Sequence, residues 1–313
     1  MPAMITHYLF AKRVLSRLKK QGVETADYPM AMIGAQGPDV FFFHRVLPWE
    51  FGKSYAHEGS RLHHISPAKL FEAFRRVLNQ HPDDTALCGY VDGFFCHYAL
   101  DRAAHPFVYY WQEELARRQP GYGTTPNQYH FRIESALDTL TLRRETGRLI
   151  RDFRLASVLP STKQADYGAV GRLYRPVFAS LLGVDAPEAQ LSLAPGDMRQ
   201  AMILMTDRSE MRQKLLHGLE RVARQGHILT SLLRPVHADD WDYANEEHRR
   251  WSNPFDSSYS SHDGFFDIYD LAAAAAADMI RAFHEALPAG RSMLEITQDR
   301  GFGSDLPGVY DRT

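Results

Sequence analysis

Cysteine is nearly absent from this chain of 313 residues: Cys88 and Cys96 are the only two. They have no partners elsewhere, so a disulfide framework is excluded. Both are expected as reduced core thiols of an intracellular protein. Long apolar runs are missing as well. Nothing approaches the roughly 18 apolar residues that a spanning helix needs. After Met1 the segment PAMITHYLFAKRVL is broken by His7, Lys12 and Arg13, which argues against a secretory leader. The expected compartment is cytoplasmic, with no membrane anchor. An excess of charge of one sign is lacking too. The net charge is −2, so there is no global basic field to draw in nucleic acid. No internal repeat and no long strand pattern is found.

What the chain does have is histidine, 15 in all. In the stretch GFFCHYALDRAAH, His97, Asp101 and His105 stand four residues apart. Each step of four advances a helix by about 40° past a full turn, so the three heads share one face. Phe94, Phe95, Tyr98 and Leu100 around them predict a largely buried helix, where unpaired polar groups are costly. A divalent ion accounts for all three, because imidazole and carboxylate are its ordinary ligands. The alternative at this point is a helix whose core histidines are bonded to neighbouring carboxylates. His130 and Glu134 repeat the spacing of four on a second predicted helix. Facing helices that each contribute two or three inward ligands build multinuclear sites in bundles.

The pass along the chain predicts helices throughout. The first covers residues 6–20, capped by Thr6, and a short one covers 28–33, ended by Gly34. A Gly-Pro loop follows with Asp39 at its turn, then a loop over 50–60 that carries His57. The next helices are 68–78 and one from Asp83 and Asp84 through His105, ended or kinked by Pro106. A further helix spans 107–118, a loop 119–127, and the His130 helix reaches Thr146. Residues 151–195 are irregular, with short helices around 167–182 and a Pro-Gly break at 195–196. Helices at 197–205 and 209–233 come next, the latter with His217, Glu220, Arg221 and Arg224 on a solvated face. A polar loop over 235–264 is pinned by Trp241, Trp251 and Pro254. An alanine-rich helix covers 265–286. The reading is all-α, with one helical domain over residues 1–290 and a polar tail over 291–313.

Laid end to end, the ligand-type residues are His7, Asp39, His63, His97, Asp101, His105, His130 and Glu134. Their order and spacing resemble the zinc-dependent phospholipase C family and, more distantly, the S1/P1 nucleases. HxxxDxxxH followed by HxxxE is the specific part. The resemblance implies a multi-helix bundle of the phospholipase C/P1 nuclease type with two or three zinc ions. One ion would take Asp39, His63, His97 and Asp101. A second would take His105, His130 and Glu134, and a third His7 with the shared Asp101. Asp39 would be the general base or the positioner of the attacking water. The implied activity is that of a phosphoric ester hydrolase acting on a phosphodiester or phosphomonoester.

The chain departs from the family in three places. No tryptophan stands near the start, where secreted members use one at the third zinc. The spacing from Asp39 to His63 is longer, and the insertion carries His57. No C-terminal membrane-binding β-sandwich is visible, which favours a small soluble phosphoester, or one derived from a phospholipid, over direct attack on a bilayer. Two alternatives stand beside the phosphoesterase: a nuclease stacking bases on Phe41 to Phe43, Tyr109, Tyr110 and Trp111, and a non-catalytic helical protein stabilised by metal.

Overall fold

The computed structural model describes residues 3–120, 126–206 and 240–310. In chain order the helices are α1 (Met4–Lys20), α2 (Tyr28–Gly34), a 3-10 helix (Gly37–Phe43), α3 (Ala56–Leu62) and α4 (Pro67–Gln80). Then come α5 (Thr85–Arg118), α6 (Pro126–Thr146), α7 (Gly168–Val177) with a π turn (Phe178–Leu182), α8 (Glu188–Leu191), α9 (Ala194–Thr206), α10 (Phe265–Ala289) and α11 (Met293–Thr297). The class is all-α. None of the described helices is long and apolar enough to cross a membrane.

Helix α5 is the axis. It runs 34 residues, about 50 Å at the usual rise. Asp84 starts it by accepting the N–H groups of Ala86 and Leu87, which satisfies two orphan donors of the first turn. Helices α1, α2, α6 and α10 pack directly on it. Against α2 the approach is backbone to backbone: a Cβ on Gly93 would lie 1.9 Å from the Ala31 carbonyl oxygen. On α10 the buried Ala272, Ala273, Ala276 and Ala277 keep that helix equally bare.

Several expectations need correction. Pro106 does not end α5, which continues unbroken to Arg118. Proline removes the donor for the Arg102 carbonyl, but Phe107, Val108, Trp111 and Leu115 beyond it are buried and hold the helix in place. Thr6 does not cap α1. It lies inside the helix, and Ala3 at the cap position offers no side-chain bond. Asp138 of α6 instead accepts the Thr6 N–H at 2.7 Å. Residues 37–43 form a 3-10 helix rather than an irregular loop, and α3 occupies part of the expected 50–60 loop. Pro195 and Gly196 fall in the first turn of α9, where proline is tolerated.

The expected polar loop over 235–264 contains an antiparallel hairpin, β1 (Trp251–Asn253) and β2 (Asp256–Ser261), with Trp251 opposite Ser261. Its strands are short and β2 is serine-rich and exposed, so no apolar alternation announces it. Trp251 is buried, whereas Pro254 is exposed and pins nothing. Trp241 is stacked under Arg249 and Arg118. The expected helix at 209–233, with His217, Glu220, Arg221 and Arg224, lies outside the described residues. Both cysteines are free, Cys96 buried and Cys88 half-buried. The segment read as a polar tail contains the buried Met293, Thr297, Phe302 and Ser304.

Candidate metal centre

Five elements bring the eight residues together. Helix α1 carries His7 in its first turns. The 3-10 helix carries Asp39. His63 ends α3, α5 contributes His97, Asp101 and His105, and α6 contributes His130 and Glu134. The 3-10 helix can approach α5 because residue 37 is glycine. Its φ is +55°, and a Cβ there would lie 2.2 Å from the His97 ring. Asp39 is therefore held beside His97 by a residue without a side chain.

Asp101 is the hub. Its Oδ1 lies 3.1 Å from His7 Nε2 and 3.9 Å from His105 Nδ1. Its Oδ2 lies 3.0 Å from His97 Nε2 and 3.9 Å from His63 Nε2. Asp39 Oδ1 is 3.2 Å from His63 Nε2. One turn further along the same face of α5, Glu134 Oε1 is 3.1 Å from His130 Nε2 and 3.9 Å from His105 Nε2. Three sets have ligand atoms within 4.8 Å of one another: His7, Asp39 and His97; His63, His97 and Asp101; His105, His130 and Glu134. The last matches the grouping that the resemblance implies. Asp39 falls in a set with His7 as well as beside His63. His57 is exposed on α3. His64 is exposed too, with Nδ1 donating to the Tyr310 carbonyl. His63 is the member of that pair inside the cluster.

Three histidines have their outer nitrogen fixed. A carbonyl oxygen can only accept, so the contact of His63 Nδ1 with Gly59 O at 3.1 Å puts the proton on Nδ1. The same holds for His105 Nδ1 against Phe302 O at 3.1 Å. His130 Nδ1 donates to Gln112 Oε1 at 3.0 Å. In each neutral ring Nε2 keeps its lone pair, the arrangement that metal-ligating histidines adopt.

The charges point the same way. Burial works against ionising Asp101, yet His97, His105 and His7 hold its carboxyl well below the ordinary carboxylate range. Burial also opposes ionisation of Asp39, and His63 and His97 outweigh it. His7 and His63 are pushed down by burial and pulled up further by Asp101 and Asp39 respectively, so both end raised. The carboxylates demand positive charge nearby.

The residues fit a divalent ion by a separate test. His97 is fully buried, and neither ring nitrogen has a hydrogen-bond partner. Its Nε2 stands 3.0 Å from Asp101 Oδ2 but off the line of a ring N–H, so the short distance crowds two ligand-type atoms without bonding them. His7 Nδ1 is also buried without a partner. An unsatisfied buried group costs about 1–3 kcal/mol, and a cation on the lone pairs offsets that. A cavity of about 20 Å³ bordered by His7, Asp101, His105 and Glu134 has room for one water-sized body.

Some functional contacts escape a reading of the sequence. Gln112 lies seven residues after His105, two turns along the same face. Asp138 lies four after Glu134 and extends that stripe. Phe302 gives no such signal. Tyr98 donates to Thr297 O and Arg300 O, and Tyr129 donates to Gln119 O. Of the expected aromatic wall, Phe41, Phe43 and Trp111 are core. Only Phe42, stacked on His63, and Tyr109, stacked on His105, adjoin the centre. Comparison with protein-family models, with curated proteins and with solved structures found no match to this chain.

Proposed function

We propose that this protein is a zinc-dependent phosphoric ester hydrolase, phospholipase C-like in its chemistry. Its substrate is a small soluble phosphodiester or phosphomonoester. The observation that carries the reading is Asp101, one carboxylate within 4 Å of four histidines from three helical elements. Divalent ions bound there supply charge neutralisation for a phosphoryl group and acidify water at neutral pH. The rest falls to the chain's own side chains. Asp39 orients the attacking water and accepts its proton. His63, His105 and His130 present fixed Nε2 atoms, so no ring has to reorient when the site is filled. Phe42 and Tyr109, half-buried against His63 and His105, shed water from the rim.

The test is hydrolysis of bis-(p-nitrophenyl) phosphate and p-nitrophenyl phosphate before and after chelation and dialysis. Turnover is expected to vanish with the metal and to return with Zn2+. Undiminished turnover by the metal-free protein sinks the reading.

One observation favours a second reading. His63 and His105 are the most open members of the cluster, with side chains only 15% exposed. Ions in so closed a site also serve to tie helices together. A chain that gains thermal stability on binding zinc but cleaves no phosphoester belongs to that class.

A further inference from the structure

Residues 298–309 follow α11 and lie against the candidate centre. Phe302 is 1% exposed. Its ring centroid is 5.5 Å from that of His63, 6.3 Å from His97 and 4.9 Å from Tyr98. Its carbonyl accepts the Nδ1–H of His105. Gly303 fits against Tyr109, the residue stacked on His105: a Cβ there would lie 3.3 Å from the Tyr109 ring.

The segment is held in a disfavoured shape. Gln298, Asp299 and Asp305 have φ of +53°, +50° and +53°. Residues with a Cβ persist there only where their surroundings over-determine them. The surroundings are on three elements. Asp299 Oδ1 accepts from Ser66 Oγ at 2.6 Å and from Ala68 N at 3.1 Å, at the start of α4. Tyr98 of α5 donates to Arg300 O at 2.7 Å. Arg102 of α5 pairs with Asp305 at 3.1 Å. Asn253 of β1 donates to Ser304 O at 3.0 Å. All these contacts converge on the placement of one residue, Phe302.

We infer that residues 298–309 are a built part of the metal centre, with the Phe302 carbonyl as the positioning group that fixes His105. The Phe302 ring forms the wall behind His63 and His97. The inference rests on the metal reading of the cluster. Without the carbonyl, the His105 proton is free to move to Nε2, which removes the lone pair an ion needs. Docking of the segment and loading of the ion are therefore linked, and each strengthens the other.

The test uses the full chain, stripped of metal and titrated with Co2+, whose visible absorption reports bound ion and its geometry. Phe302→Ala and Asp299→Ala are compared with wild type and with Arg172→Ala, which breaks a remote pair with Asp84 and Asp166. Phe302→Leu replaces Phe302→Ala if the latter does not fold. Both segment variants are expected to bind the weakest Co2+ about 10–100-fold less tightly, with a changed spectrum, while Arg172→Ala binds normally. Long-range 1H–15N NMR is expected to show His105 protonated on Nδ1 in wild type and mixed in the variants. Amide exchange across residues 298–309 is expected to slow at least tenfold on adding Co2+ to wild type.

Wild-type affinity in both variants, or exchange indifferent to Co2+, overturns the inference. A wild type that binds no ion overturns both it and the metal reading. Segment-dependent binding without phosphoester hydrolysis upholds the inference and rejects the hydrolase alone.

Discussion

Asp138 on α6 accepts the Thr6 main-chain N–H at 2.7 Å and the Thr6 hydroxyl at 2.9 Å, so one helix supplies the cap of another. His7 is the next residue along α1. Asp138→Ala is expected to cost about 1–3 kcal/mol, because a helix-end donor is left buried and unpaired. Asp138→Asn keeps an accepting oxygen and is expected to cost less than half of that. Urea unfolding of the three proteins checks both values.

Gln112 fixes His130 from the side away from Glu134. Gln112→Leu is close in size but removes the acceptor. Zinc affinity is expected to fall about 10–100-fold, the usual effect of losing an outer partner of a ligating histidine. Competition against a chromogenic chelator reads this directly. Gln112→Glu retains an acceptor and is expected to bind within a few-fold of wild type.

Metal-free and metal-loaded protein should respond to pH in opposite senses. His7 and His63 are raised above 6.5 by Asp101 and Asp39, against the downward pull of burial. A raised histidine contributes stability that is complete below its unfolded value and is lost as pH rises through its folded value. The metal-free chain should therefore lose stability as pH climbs from 6.5 upward. Ion binding requires those rings deprotonated, so the rise in Tm on adding Zn2+ should grow over the same range. Paired melts at pH 6, 7 and 8 are the check, and a zinc-induced rise that shrinks with pH would contradict it.

Asp197 offers a second pH dependence, far from the cluster in sequence. Burial pushes its carboxyl up to about 6, and the Arg45 N–H it accepts opposes this only in part. A raised carboxyl costs the fold nothing below its unfolded value of 3.8; the penalty builds from there to about 6 and is complete above it. Asp197→Asn keeps the bond to Arg45. It is expected to stabilise the protein by about 1 kcal/mol at pH 7.5, after allowance for nearby solvent, and by nothing at pH 3.5. Denaturant midpoints at the two pH values read the difference.

The spacing of His97, Asp101 and His105 was legible because one helix carries all three, and the helical period alone decides which face they share. The same is true of His130 and Glu134. Asp39, His63 and His7 could be gathered only through a family resemblance, since no local period connects them. The path of α5 through Pro106 is not legible because the penalty at proline is local, while the burial that outweighs it comes from α10 and the hairpin. Phe302 was invisible for a related reason. A single apolar residue in a polar, glycine-rich segment carries no sign of the histidine it will meet.

His7 meets Asp101, and His105 meets the carbonyl of Phe302. Both contacts join positions far apart in the chain, the second across 197 residues. During synthesis, then, the contact that fixes His105 cannot form until residue 302 has left the ribosome. A chain released early lacks that carbonyl and its anchors, however well its first helices have formed. The order of the chain therefore makes this contact late, since α5 is synthesised long before the carbonyl that fixes its histidine.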